Sequence, residues 1–184
     1  LEEREYLARE ALATERHEYV AGVAYAMAGA GERHNRIALN LAVQLRAATR
    51  GTGCGVYISD MKLRVAGGRA YYYPDVMLSC EPATPDTVYK EAPCLVAEVL
   101  SPSTAAIDTR EKLQAYCGVE SLRYYLLVDS ERVHVVENGV PDPGAWALRE
   151  ESGNPDTAPP ALLYMGTLTR TKGIFELLQA FAEI

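Results

Sequence analysis

One carboxylate inside an otherwise apolar strand is the first feature of this sequence that asks for chemistry. Cys94-Leu95-Val96-Ala97-Glu98-Val99-Leu100 has the composition of a strand buried on both faces, and Glu98 interrupts it. An ionised carboxylate in such a place is costly unless it is paired or bound to a cation. The plain alternative is a carboxylate at a strand end, facing solvent or salt-bridged to a neighbouring arginine. Asp75 follows Pro74 within the strand-like run 71–79. Alone, a Pro-Asp pair marks a turn as readily as a site. Together, a carboxylate in each of two adjacent strands can place hard oxygen ligands around one Mg²⁺. Such a centre binds a phosphate oxygen, activates a water and steadies the leaving oxygen.

Lys112 belongs to the helix expected after the Glu98 strand. Asp108, Lys112 and Tyr116 fall four apart, so they share one helix face. A lysine beside a metal could stabilise charge developing on a phosphate or orient the attacking water. The spacing by itself describes an ordinary Asp108–Lys112 surface pair, worth roughly 0.3–0.5 kcal/mol. His34 opens another helix, flanked by Arg33 and Arg36, and could contact phosphate or relay a proton; a capping or surface role is the alternative. Glu18 could supply a third acidic ligand or orient a water, or simply face solvent on a hairpin. Tyr71, Tyr72 and Tyr73 precede Asp75 and could stack on bases or pack beneath the strand.

The elements that must position these residues follow from periodicity. Residues 2–13 favour a short helix. Two β-prone runs around Gly22, within residues 18–27, predict a hairpin. Ile37, Leu41, Leu45 and Ala48 form one apolar stripe, which predicts a helix over about 33–49 ended by Gly51 and Gly53. Short strands are expected at 56–59, at 61–65 with half-buried alternation, and at 71–79. Pro74 must interrupt regular pairing there. A polar loop fills 81–93. The strand 94–100 leads through Ser101-Pro102-Ser103-Thr104 into a helix that ends before Gly118, and 124–128 is another buried strand. Residues 132–137 and 146–149 are expected to pair as a hairpin. Residues 151–160 form a linker, and 161–184 give a short apolar run and an amphipathic helix.

The chain has 184 residues, enough for one compact core. No apolar run approaches the roughly 18 residues of a membrane span. The start, Leu1-Glu2-Glu3-Arg4-Glu5, lacks the basic and apolar parts of a signal peptide, so a cytoplasmic location is expected. The net charge of −7 argues against tight nonspecific binding to nucleic acid by counterion release, though not against a local basic groove. Cys54, Cys80, Cys94 and Cys117 show no CxxC spacing and no paired histidines, which speaks against zinc. Cys94 and Cys117 sit in apolar stretches, and free core thiols are expected.

Several pieces occur in a fixed order: His17-Glu18-Tyr19-Val20, Tyr25-Ala26-Met27-Ala28-Gly29, Arg33-His34-Asn35, Ser59-Asp60-Met61-Lys62, Tyr72-Tyr73-Pro74-Asp75-Val76, Glu98-Val99-Leu100-Ser101-Pro102-Ser103-Thr104, Asp108-x-x-Glu111-Lys112 and Tyr125-Leu126-Leu127-Val128-Asp129. Over roughly residues 1–150 they resemble the Uma-two family of restriction endonucleases, a bacterial branch of the PD-(D/E)xK nuclease superfamily. The resemblance implies an α/β (α+β) restriction-endonuclease-like core, a central mixed sheet flanked by helices. It implies a metal site from Asp75 and Glu98, with the Val99 backbone carbonyl assisting and Glu18 as a helper. In the usual superfamily pattern the lysine stands two residues after the second acid, where this chain has Leu100. The similar family takes it from the next helix, which matches Lys112. The family hairpin carries acidic residues around its glycine, and here Ala21 and Val23 stand there instead. The segment 165–178 is more similar to a loop–helix piece of a GT-B glycosyltransferase than to the family ending.

The expectation is therefore a restriction-endonuclease-like domain over 1–150 and a linker with an atypical helical extension over 151–184. The expected activity is Mg²⁺- or Mn²⁺-dependent cleavage of DNA. Asp75, Glu98, Lys112 and Glu18 would carry it, and His34, Arg33 and Arg36 would hold the nucleic-acid backbone. A homodimer is a family-level expectation suited to cutting two strands. The competing readings are a catalytically inactive nucleic-acid-binding module on the same fold, or a protein-interaction module that docks through its C-terminal helix.

Overall fold

A computed structural model gives the architecture and describes residues 1–27, 29–101, 107–129, 134–136 and 161–166. The elements are helix α1 (Glu3–Glu10), strands β1 (His17–Val20) and β2 (Val23–Ala26), helix α2 (Glu32–Ala48), and strands β3 (Gly55–Ile58), β4 (Lys62–Val65), β5 (Ala70–Tyr72), β6 (Val76–Ser79), β7 (Tyr89–Lys90) and β8 (Pro93–Val99). Helix α3 follows, with a π-wound turn (Asp108–Lys112) that continues as an α-helix (Leu113–Tyr116). Strands β9 (Tyr124–Asp129), β10 (His134–Val136) and β11 (Ala161–Gly166) complete the described chain.

The expected α+β class holds, but the strands divide into two mixed sheets. One has the order β2-β1-β5-β4-β7 and the other β10-β11-β9-β8-β6-β3. The division falls at Pro74. Consecutive strands β5 and β6 lie in different sheets, and the residue between them that cannot donate to a ladder marks the crossing. The run 71–79 is thus two strands rather than one interrupted strand.

Three clusters of apolar side chains hold the layers together. The stripe of α2, with Leu41 and Leu45 buried, packs on Val76, Leu78, Leu95, Ala97 and Val99 of the six-stranded sheet. Between the sheets, Leu63, Val65 and Tyr72 meet Met77, Val96, Leu127 and Tyr116. On the outer face of the five-stranded sheet, Tyr6 of α1 packs with Tyr19 and Tyr71. Arg64 reinforces this layer by donating to Glu3 at 2.7 Å and to the Tyr71 hydroxyl at 3.0 Å. The hairpin turn between β1 and β2 is Ala21-Gly22, both at positive φ, a geometry glycine adopts without strain.

Four expectations are corrected. Strand β4 does not present a wet polar face: Lys62 is buried, with its ammonium 5.1 Å from the centre of the Tyr73 ring. The loop 81–93 contains β7, which runs parallel to β4. Cys54 and Cys80 are joined in a disulfide, while Cys94 and Cys117 are free and Cys117 is exposed rather than in the core. The apolar run expected beyond the domain forms β11, parallel to β9 and antiparallel to β10, inside the six-stranded sheet. The partner once expected for β10, 146–149, lies outside the described residues, as do 151–160 and the tail helix and glycosyltransferase-like segment beyond 166.

Candidate functional site

Glu98 stands on the face of β8 that looks toward α3 and the five-stranded sheet. Leu95, Ala97 and Val99 alternate toward α2, so Val96 and Glu98 point the other way. Its side chain is buried (2% exposed). Oε1 accepts hydrogen bonds from the Tyr116 hydroxyl at 3.0 Å and from Lys112 Nζ at 3.2 Å. Oε2 faces the backbone N–H of Asp75 at 3.4 Å. Burial pushes the Glu98 carboxyl up to about 8; Lys112 opposes this, and Asp75, Asp108 and Glu18 add to it.

Asp75 lies just before β6, where the chain enters the second sheet. Its Oδ2 accepts the Val99 N–H at 2.7 Å and pairs with His34 Nε2 at 3.0 Å. The hydrogen bond to Asp75 raises the His34 pKa; burial opposes, and a bond to the Val99 backbone adds to the rise. His34 comes from the first turn of α2, so the packing of the α2 stripe carries it to the carboxylate. The structure thus joins His34, Asp75 and Val99, all expected at the site, through direct contacts.

Lys112 corrects the reading of an exposed helical pair. It is 6% exposed, and its Nζ lies 3.0 Å from Glu18, 3.2 Å from Glu98 and 3.3 Å from Asp108. Spacing reports which helix face a residue shares, not what covers that face; here β1 and β8 cover it. Burial works against the ammonium, but Glu98, Glu18 and Asp108 outweigh it and hold Lys112 charged. Glu18 also accepts the Tyr73 N–H at 3.2 Å. It therefore ties Lys112 to the chain crossing between the two sheets.

Arg33 and Arg36 are exposed along α2, and Arg36 pairs with Glu32 at 3.7 Å. Tyr71, Tyr72 and Tyr73 are all buried, which replaces the base-stacking alternative with packing. Two residues at the centre escaped assignment from sequence, Asp108 and Tyr116. Their four-residue spacing with Lys112 was the available signal, and only the enclosing sheets reveal its meaning. Among the described residues, no three His, Cys, Asp or Glu side chains group to hold an ion by themselves. No helix there is long and apolar enough to cross a membrane.

The family model Uma2, described as "Putative restriction endonuclease", matches residues 4–169. The uncharacterized protein slr1290 of Synechocystis is 36% identical over 149 residues, covering 80% of this chain and 78% of the relative. A second uncharacterized protein of that organism, sll1609, is 36% identical over 152 residues, covering 81% and 86%. A crystal structure from Anabaena variabilis, described as "a putative nuclease belonging to DUF820", superposes with a TM-score of 0.53 at 15% identity. It covers 64% of this chain and 68% of the other, and shares the fold. The matched span includes Asp75, Glu98 and Lys112 and extends across β11, and on this match the chain belongs to the Uma2 family, the family described as "Putative restriction endonuclease".

Proposed function

We propose that this protein is an endonuclease that hydrolyses phosphodiester bonds in DNA with Mg²⁺ or Mn²⁺. One observation carries the reading: the buried Glu98 carboxylate divides its two oxygens between Asp75 on one side and Lys112 with Tyr116 on the other. The donor set suits a hard cation. Asp75 and Glu98 supply carboxylate oxygens, the Val99 backbone lies beside them, and one or two carboxylates suffice for Mg²⁺ when waters complete its shell. The charge balance agrees, because Glu18, Asp75, Glu98 and Asp108 together face one lysine and one histidine. A cation bound there would polarise a phosphate oxygen and lower the pKa of a bound water.

The chain's own groups have distinct tasks in this reading. Lys112, kept charged by its three carboxylates, stabilises negative charge developing on the phosphate or orients the attacking water. His34 fixes Asp75 and stands ready to donate a hydrogen bond to a phosphate oxygen. Arg33 and Arg36, exposed on the same helix, hold the nucleic-acid backbone. A homodimer acting in the cytoplasm would bring one site to each strand of a duplex, and light scattering reads that mass directly.

The test is cleavage of plasmid and single-stranded DNA with Mg²⁺ or Mn²⁺, comparing the wild type with Asp75→Ala, Glu98→Ala and Lys112→Ala. Metal-dependent cutting lost in all three variants is the expected result. The full engagement of Lys112 by carboxylates, together with Leu100 at the usual lysine position, favours a second reading as an inactive binding module. Absence of both cutting and calorimetric metal binding would move the assignment to that module.

A further inference from the structure

Tyr116 is fully buried and touches Glu98 through its hydroxyl. Its ring has no exposed surface and is gripped edge-on by Tyr72 (centroids 5.5 Å apart) and Tyr125 (5.0 Å). Tyr125 is itself tied down, its hydroxyl donating to the Asp108 carbonyl at 2.9 Å. The Tyr116 hydroxyl therefore holds one direction, toward Glu98 Oε1 at 3.0 Å. Lys112 donates to the same oxygen at 3.2 Å, while sharing its remaining donors with Glu18 and Asp108. A carboxylate oxygen offers two lone-pair directions, and these two donors take both. On the side of Asp75, only Oε2 keeps a free lone pair, its other one accepting the Asp75 N–H at 3.4 Å.

We infer that Tyr116 is a positioning residue that makes Glu98 a one-oxygen ligand and thereby sets the site for a small octahedral cation instead of Ca²⁺. This rests on the cation site proposed above. Calcium takes more oxygens and commonly a two-oxygen carboxylate, whereas Mg²⁺ and Mn²⁺ suit single carboxylate oxygens in an octahedron. Removing the hydroxyl frees one lone pair of Oε1 and lets the carboxylate turn both oxygens toward the ion.

The experiment is calorimetric titration of the full chain with MnCl₂ and, separately, CaCl₂, for the wild type, Tyr116→Phe and Tyr125→Phe. The wild type is expected to bind Mn²⁺ more tightly than Ca²⁺. Tyr116→Phe is expected to lose roughly tenfold in Mn²⁺ affinity, the scale of an outer-shell partner, and to narrow the Mn²⁺/Ca²⁺ ratio. Tyr125→Phe, which alters the same aromatic packing without touching Glu98, is expected to keep the ratio. A second variant, Glu98→Asp, draws the carboxylate away from Tyr116 and should narrow the ratio too. Circular dichroism identifies which variants are folded. An unchanged ratio in a folded Tyr116→Phe or Glu98→Asp protein, or an equal change in Tyr125→Phe, overturns the inference and leaves the cation site standing. A wild type that binds neither ion overturns both.

Discussion

Replacing Glu98 by glutamine is predicted to stabilise the metal-free protein while abolishing the proposed metal-dependent cleavage. The Glu98 carboxyl is pushed from 4.5 up to about 8, first by burial and then by the neighbouring carboxylates. A folded-state pKa above the unfolded one means the native state binds more protons. The contribution of Glu98 to stability is fully present below about pH 4.5 and is lost as pH rises through 8. A rise of this size corresponds to a limiting cost on the order of 5 kcal/mol. Glutamine has nearly the same shape and keeps a carbonyl oxygen for Tyr116 and Lys112, but it cannot ionise. The attraction of Lys112 is already contained in this raised value, but the glutamine NH2 replaces the oxygen that accepts the Asp75 N–H, and leaving that donor unmatched takes back roughly 1–2 kcal/mol. The net gain expected at pH 8 is about 3 kcal/mol, or roughly 6–12 °C in melting temperature for a chain of this size. At pH 5 the gain should vanish or reverse. Thermal melts by circular dichroism in EDTA, from pH 5 to pH 9, read the effect. Mn²⁺ should stabilise the wild type at pH 8 and leave Glu98→Gln unmoved. A variant less stable than the wild type at pH 8 in EDTA, or a gain that does not grow with pH, would refute the argument.

Three further perturbations probe the neighbouring contacts. Lys112→Met strips the cation from two buried carboxylates, Glu98 and Asp108, and from the partly buried Glu18, and should cost about 3–5 kcal/mol in denaturant titrations without metal; a loss under about 1 kcal/mol would count against the cluster. The His34 imidazole should titrate by NMR above its ordinary 6.5, because Asp75 hydrogen-bonds it, and Asp75→Asn should bring it down. Its contribution to stability is present in acid and is lost as pH rises through that midpoint; a His34 midpoint unmoved by Asp75→Asn would exclude the contact. Reducing the Cys54–Cys80 disulfide should lower stability by about 2–4 kcal/mol, with reductant having no effect on a Cys54→Ser, Cys80→Ser double variant. Two titratable thiols in the native protein and four after reduction would accompany that result.

Local regularities carried much of the architecture. The four apolar positions of α2 define its buried stripe without any knowledge of the sheet beneath, because a helix repeats its face every 3.6 residues. The glycine of the β1–β2 hairpin, the break at Pro74 and the apolar run around Glu98 are equally local. Each reflects what the backbone permits or what an apolar run must bury. Glu98 and Asp75 were legible as a pair for the same reason, since a carboxylate in an apolar strand is conspicuous wherever the strand lies.

Long-range pairing decided the rest. The spacing of Asp108, Lys112 and Tyr116 is equally compatible with an exposed helix face and with a buried one. The sheets settle it: β1 brings Glu18 and β8 brings Glu98 against Lys112, so that an expected surface ion pair becomes a buried cluster. The insertion of β11 between β9 and β10 and the meeting of Cys54 with Cys80 likewise depend on which strands become neighbours. Sequence alone determined which residues are chemically capable, because side-chain type and local period are written in the chain. Only the tertiary structure decided which of them meet, because burial and electrostatic coupling are set by segments far apart in sequence.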